Sequence, residues 1–351
     1  MKNKVMIVVF AFLLLVVPVY TFLCDVDIVV YERRMAHAFP TLMKNGKWNA
    51  DYSSEMEAAL NDRVPMRRVL LGIRSAIKQS VFQMKDEGGV YEENGYLFRM
   101  GTLHEKNIEN NVQLMNEVVS YFSGDKCFVI VPRKNTYDEN RHPDYAFADV
   151  EEVVEENWND EMLDIHGLLT LSDYYHTDIH WKQECIQDVG NAILSVFGKA
   201  AVEMDVKEVS YSPFYGALSA YMPSAAADEL IYCTSDELAH VLVENMEKEG
   251  KREVYDVGAL SSPDPYNIYL DGPAAYLHIE NKDRQDGSHL VVFRDSFASS
   301  ILPWIIPSYE TVDVIDLRYY HSSLVEELSL DENSDVLCLY GEEVLNDVLL
   351  K

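Results

Sequence analysis

The chain has 351 residues, enough for one large domain or two ordinary ones and for a sizeable core. Lys plus Arg number 29 against 59 Asp plus Glu, a formal net charge of −30, so the basic face that phosphate backbones require is lacking and nucleic acid is set aside as a partner. Hydrophobic residues are 48% of the chain with only 16 Gly and 12 Pro, which excludes global disorder, collagen and low-complexity classes.

Residues 1–24 read as an uncleaved signal anchor. Lys2 and Lys4 precede an uncharged apolar run from Val5 to Cys24, and about 20 such residues at 1.5 Å rise cross a bilayer core. Cleavage is the alternative, but no small-x-small signal follows, and bulky Phe22 and Leu23 make Cys24 a poor lipoprotein site. The two lysines favour a cytoplasmic N-terminus, with Arg33 and Arg34 beyond the run as weak competitors. The body of the chain would then lie outside the cytoplasm, behind a single span.

Residues 25–85 read as a helical juxtamembrane segment. Ser53 and Ser54 can cap a short acidic helix, Asp62-Arg63-Val64-Pro65 interrupts it, and Pro65 suits the first turn of the next. There Met66, Leu70, Ile73, Ile77 and Val81 recur at helical spacing. Val90 to Phe98 reads as a hairpin about the Asn94-Gly95 turn.

From there to the C-terminus strands and helices alternate. Ile108, Val112, Met115, Val119 and Phe122 mark one helix; Trp181, Cys185, Val189, Ala192, Ile193 and Val196 mark another, closed by Gly198. Short apolar strands run over Cys127–Val131, Leu290–Phe293, Val312–Ile315 and Val336–Tyr340. This pattern predicts a mostly parallel α/β sheet in a domain spanning 86–351. Residues 199–288 are an irregular insertion, with a helix expected near Asp236–Met246. The acidic run Glu151–Asp164 reads as a solvated face. The five cysteines show no metal spacing and read as structural thiols, with one disulfide allowed.

Two stretches carry chemistry. In Tyr174-Tyr175-His176-Thr177-Asp178-Ile179-His180-Trp181, Asp178 and His180 can leave an extended backbone on the same side, so the carboxylate can orient the imidazole. The same octapeptide admits a helix N-cap Asp with an incidental His. It also admits the start of a metal site from His176, Asp178 and His180. In the second stretch, Leu290–Phe293 runs into Arg294-Asp295-Ser296-Phe297. That places Ser296 at a strand's carboxyl end and a helix's amino end, where ligands gather and free amides can stabilise an oxyanion. An ordinary helix start is the plainer reading. Walker A, GxGxxG, GxSxG and HExxH patterns are absent.

Taken together, six blocks resemble the DHHW family of membrane-anchored, extracytoplasmic bacterial proteins. They are Glu32-Arg33-Arg34 with Ala38-Phe39-Pro40, Asn61 to Arg67, Val131-Pro132-Arg133-Lys134 with Tyr137, Thr177 to Trp181, Arg294 to Phe297, and Asp316-Leu317-Arg318-Tyr319-Tyr320. The family is similar to the SGNH hydrolase-like domains of alginate O-acetyltransferase accessory proteins. The resemblance implies a three-layer SGNH hydrolase-like α/β domain behind a transmembrane helix. It implies Ser296 as nucleophile, His180 as base and Asp178 as orienting carboxylate. No cofactor or metal is implied. The activity expected is acyl transfer to, or acetyl-ester cleavage on, a cell-surface polysaccharide, with a multi-span membrane O-acyltransferase as partner. The alternative is a non-catalytic scaffold that binds glycan or that partner. Ile179 replaces the first His of the family's name. Asp271-Gly272-Pro273 stands where the family often has Gly-Gly-Asn, so an asparagine donor is missing and Gly272 N–H and Ser296 N–H are left to serve the oxyanion. Arg318, Tyr319 and Tyr320 are expected near a sugar groove, with pairing of Arg318 to Asp316 as the structural alternative.

Overall fold

The computed structural model describes residues 2–82, 86–139 and 144–351. Helix α1 (Lys2–Leu23) is apolar around its whole circumference and is long enough to cross a membrane. The segment after it departs from the helical expectation. Ile28–Val29 (β1) pairs with Arg34–Met35 (β2), and Met43–Lys44 (β3) pairs with Lys47–Trp48 (β4) about Asn45 and Gly46, both at positive φ. β-Branched residues and an Asn-Gly turn favour hairpins over helix here. Helices begin only with α2 (Tyr52–Asp62) and α3 (Arg67–Phe82); residues 83–85 of the expected segment lie outside the described residues. The apolar row Met66, Leu70, Ile73 and Ile77 is exposed. Meanwhile Arg68 fastens another side of α3 to the body by donating to the carbonyls of Pro223 and Ala225 at 3.0 and 2.8 Å.

Strands Asp86–Glu87 (β5), Val90–Glu93 (β6) and Tyr96–Arg99 (β7) form a small antiparallel sheet. Asn94 and Gly95 take φ of 52° and 85°, as a type I′ turn requires. The main sheet is built from Lys126–Val131 (β8), Glu161–Met162 (β9), Val241–Asn245 (β12), Lys251–Arg252 (β13), Tyr276–Asn281 (β14), His289–Arg294 (β15), Thr311–Ile315 (β16) and Asp335–Gly341 (β17). Lys207–Phe214 (β10) and Asp228–Thr234 (β11) form a separate ribbon. The order across the main sheet is β13-β12-β14-β16-β15-β17-β8-β9. Four of its seven pairings are parallel, those from β16 to β9; the rest are antiparallel.

Residues 199–288 are therefore no irregular insertion. They supply the ribbon and the antiparallel edge. The helix expected over Asp236–Met246 is a short 3₁₀ turn followed by β12, because Val241, Val243 and Asn245 alternate inward. Alternation also makes the three layers. Leu290 and Val292 face one core with α6 (Gln187–Val196) and α7 (Phe297–Ile305). Val291 and Phe293 face another with α4 (Glu105–Val119) and α5 (Phe147–Asn157). The acidic run falls on the outer face of α5 and the short strand after it. Helix α8 (Glu342–Asp347) follows β17 directly. All five cysteines are free thiols.

On the antiparallel side His278 and Asp313 stand opposite each other across β14 and β16, with Nδ1 and Oδ1 2.7 Å apart. The hydrogen bond it donates to Asp313 raises the His278 imidazole above its ordinary value against the opposing effect of burial. Stability from such a pair is fully present below the unfolded histidine value of about 6.5 and is lost as pH rises through the raised folded value. We expect His278→Gln to lower the melting temperature most below about pH 6.5, with the gap to wild type closing toward alkaline pH; a gap constant across that range would show that the pair contributes no charge interaction.

Candidate active site

Strand β15 delivers Asp295 and Ser296 to the carboxyl edge of the parallel half of the sheet, where α7 begins. Asp295 is buried and fixes the turn. Its Oδ1 accepts from Phe297 N at 2.9 Å, and its Oδ2 from Gly341 N at 2.7 Å at the end of β17. Burial pushes its carboxyl up, with the Arg318 charge opposing. Ser296 is half-buried, and its amide donates to no protein acceptor among the described residues.

The Asp-x-His stretch lies on a narrow loop after β9. Its two limbs are closed by a bridge between Tyr174 and Trp181 and by Tyr175 N donating to His180 O at 3.2 Å. The loop is pinned from below by Lys134, just past the end of β8. The Lys134 ammonium is buried and donates to the carbonyls of Tyr175, His176 and Asp178 at 3.0, 3.0 and 2.8 Å. Burial pulls it down to about 7, against the raising effect of Asp178. From the side, Trp181 Nε1 donates to Ser300 Oγ at 2.9 Å, and Tyr266 OH shares that hydroxyl at 2.9 Å. The loop is thus clipped to α7, the helix that Ser296 opens.

These clips bring the three residues together. His180 Nε2 is 2.8 Å from Ser296 Oγ, and His180 Nδ1 is 2.5 Å from Asp178 Oδ1. Asp178 Oδ1 also accepts from His180 N at 3.1 Å; Oδ2 accepts from Ala217 N at 2.7 Å and from Arg33 Nη1 at 2.6 Å. Its side chain is fully buried. Burial pushes the carboxyl up, but the charges of His180 and Arg33 and the bonds from His180 and Ala217 outweigh it and hold it well below the usual carboxylate range. An ionised carboxylate can only accept, so the proton between them sits on Nδ1. Nε2 is then left as the acceptor facing the serine hydroxyl. The Tyr266 ring stacks on the imidazole at 4.0 Å between centroids.

The other expected site residues are placed differently. Gly272 N–H donates to Tyr269 O at 3.1 Å and so is engaged in a turn, while its carbonyl accepts from Arg294 at 3.3 Å. Arg318 pairs with Asp316 at 2.6 Å. Tyr319 is exposed, and Tyr320 packs toward the α4–α5 core with its hydroxyl donating to Leu324 O at 3.2 Å. His176 turns away from Asp178 and pairs with Asp228 at 2.9 Å. No cluster of three metal-binding side chains occurs among the described residues. Motif reading missed Arg33 as a neighbour of Asp178, and also Tyr266, Lys134 and the Gly216-Ala217 turn. Arg33 and Lys134 both stand in blocks that resemble the family, but neither block says what its cation touches.

The DHHW family model, described as "DHHW protein", matches residues 135–315. The chain belongs to the DHHW family. A DHHW family protein from Eubacterium siraeum of known crystal structure is 16% identical and superposes with a TM-score of 0.61 over 73% of this chain and 91% of its own. Bacillus cereus PatB1 is 18% identical, with a TM-score of 0.60 over 75% of this chain and 98% of its own. PatB1 with a sulfonyl adduct gives 17% identity and a TM-score of 0.60 over 75% and 100%. No curated protein sequence matches. The likeness establishes an SGNH hydrolase-like fold for this DHHW chain.

Gly216 is where this arrangement tolerates no side chain. A Cβ there would lie 2.3 Å from Thr177 O and 2.4 Å from both Asp178 Cβ and Asp178 N. We expect Gly216→Ala to push the Ala217 amide off Asp178 and to cost about 1–3 kcal/mol by overpacking. Urea denaturation measures this; a midpoint equal to wild type would mean that the loop moves aside freely.

Proposed function

We propose that this DHHW protein is an extracytoplasmic, membrane-anchored serine acyltransferase or acetylesterase acting on cell-surface polysaccharide. The observation that carries the reading is the continuous relay from buried Asp178 through His180 to Ser296, with gaps of 2.5 and 2.8 Å. Both lie at or near hydrogen-bond reach for general-base chemistry, about 2.6–3.2 Å.

In the reaction proposed, Ser296 Oγ attacks the carbonyl carbon of an acyl donor as its proton passes to His180 Nε2. Asp178 stays ionised and stabilises the imidazolium. The oxyanion is assigned to Ser296 N–H, since Gly272 N–H is engaged by Tyr269 O. His180 then returns the proton to the departing alcohol or carrier oxygen, which leaves an acyl-serine. In the second half a sugar hydroxyl or water gives its proton to His180 as it attacks the acyl carbon; the bond to Ser296 Oγ breaks, and His180 returns that proton to the serine oxygen. The sulfonyl adduct carried by PatB1 supports this: such an adduct is what an activated nucleophile forms with a sulfonyl electrophile.

Polysaccharide as acceptor, and a multi-span membrane O-acyltransferase as donor, follow from the family resemblance. The anchored, extracytoplasmic arrangement is supported by α1 and by Arg34 and Arg33. Arg34 pairs with Asp62, and Arg33 with Asp178. With both folded into the body, Lys2 and Lys4 are the flanking charges left to set orientation.

We expect wild-type protein to hydrolyse an acetyl ester and to be labelled by phenylmethylsulfonyl fluoride, and Ser296→Ala to lose labelling and at least about a thousandfold in turnover. The O-acetyl content of the host's surface glycan should change in parallel. Inert wild-type protein, with glycan acetylation the same in wild type and Ser296→Ala, would leave the scaffold reading in its place.

A further inference from the structure

We propose that Arg33 is a positioning residue of this site, holding both Asp178 and the loop that covers His180, so that acyl transfer needs the post-anchor hairpin docked in place. The inference rests on the Ser296–His180–Asp178 reading.

The two arms of the Arg33 guanidinium reach two different parts of the site. Nη1 donates to Asp178 Oδ2 at 2.6 Å, and Nη2 forms an ion pair with Asp264. Asp264 Oδ1 also accepts from Tyr266 N at 3.1 Å and so opens the short turn that carries Tyr266 onto the face of His180. One planar cation therefore ties the carboxylate behind the imidazole to the aromatic ring stacked on it. A guanidinium has the fork for this; an ammonium concentrates its charge at a single point. The side chain is 13% exposed, so little water competes for either bond.

The backbone is shaped to the same end. Arg33 stands at φ 50°, ψ 47°, in the left-handed region that a bulky residue seldom adopts. Its neighbours hold it there. Glu32 pairs with Arg67 and Arg34, and Arg34 donates to both oxygens of Asp62 at 2.8 and 2.6 Å. Those charges point toward α2 and α3; Arg33 alone turns inward. The segment it belongs to packs on the Ala217–Ala220 turn, whose first amide supplies the other donor to Asp178 Oδ2.

A mere tether for the N-terminal segment and a positioning residue differ in what they do to turnover. The test uses full-length protein in detergent, with 4-nitrophenyl acetate as substrate, phenylmethylsulfonyl fluoride as label and thermal melting as the check on folding. We expect Arg33→Ala to lower kcat and the labelling rate by about tenfold or more with KM within about twofold, since Arg33 acts through Asp178. Added guanidinium ion at millimolar concentration should restore kcat severalfold in Arg33→Ala and leave wild type unchanged. Arg33→Lys should fall between wild type and Ala, and Asp264→Asn should lower kcat less than Arg33→Ala. Folded Arg33→Ala with wild-type kcat overturns the inference, as does a loss that neither guanidinium nor Lys recovers. Should Arg33→Ala not fold, wild-type kcat in both Arg33→Lys and Asp264→Asn overturns it. Inert wild-type protein overturns the acyl-transfer reading and this inference with it; active wild type with indifferent variants overturns this inference alone.

Discussion

The Asp178 carboxylate carries its charge where water does not reach, and a large part of the molecule is organised around making that tolerable. An isolated buried carboxylate would take up a proton instead of staying ionised. Here each oxygen receives two donors, and the four come from three parts of the covalent chain: the imidazole and amide of His180 in its own loop, the amide of Ala217, and the guanidinium of Arg33. Lys134 adds a second cation that binds the Asp178 carbonyl. Gly216 has no side chain because the turn carrying Ala217 must come within touching distance of the Thr177–Asp178 backbone. Remove the charge from Asp178 and the proton on Nδ1 loses its reason to stay there. The proposed base then no longer faces the serine in the right tautomer.

The second requirement is that two segments 116 residues apart meet within hydrogen-bond distance. The parallel half of the sheet does this by putting the carboxyl ends of β8, β15 and β17 along one edge. Lys134 leaves the first, Ser296 the second, and Gly341, which holds Asp295, the third. The Trp181–Ser300–Tyr266 bonds then set the rotation of α7 relative to the histidine loop. Because the edge is a property of the sheet, not of the chain order, the Asp-x-His stretch can precede the serine in sequence without changing the constellation. The same triad geometry recurs with different orders on other folds.

Sequence reading reached the parts of this arrangement that leave a local trace. The short apolar strands, the Asn94-Gly95 turn, and the strand-to-helix position of Ser296 are all written in consecutive residues. So is the two-residue spacing of Asp178 and His180. The parts it missed depend on contacts that leave none. Val241 and Val243 belong to a short apolar run whose strand character shows only once β14 lies beside it. The row Met66 to Ile77 is helical as read, but nothing in its period says whether the face is inward. Arg33 and Asp178 are 145 residues apart, and an ion pair at that separation imposes no pattern on either neighbourhood. Gly272 is suggested only by a family pattern that this chain breaks at Pro273, and its amide closes a local turn instead.

Arg33 lies ten positions beyond the end of α1 at Leu23. Even fully stretched, that length of chain spans at most about 35 Å, and part of it is folded back as a hairpin. With α1 seated in a bilayer, the Ser296 hydroxyl is on a short leash and is held low over the lipid headgroups. Under the proposed reaction, a long glycan would have to be bent down to it or met while still emerging, and an acyl carrier delivered through the membrane would arrive already within range.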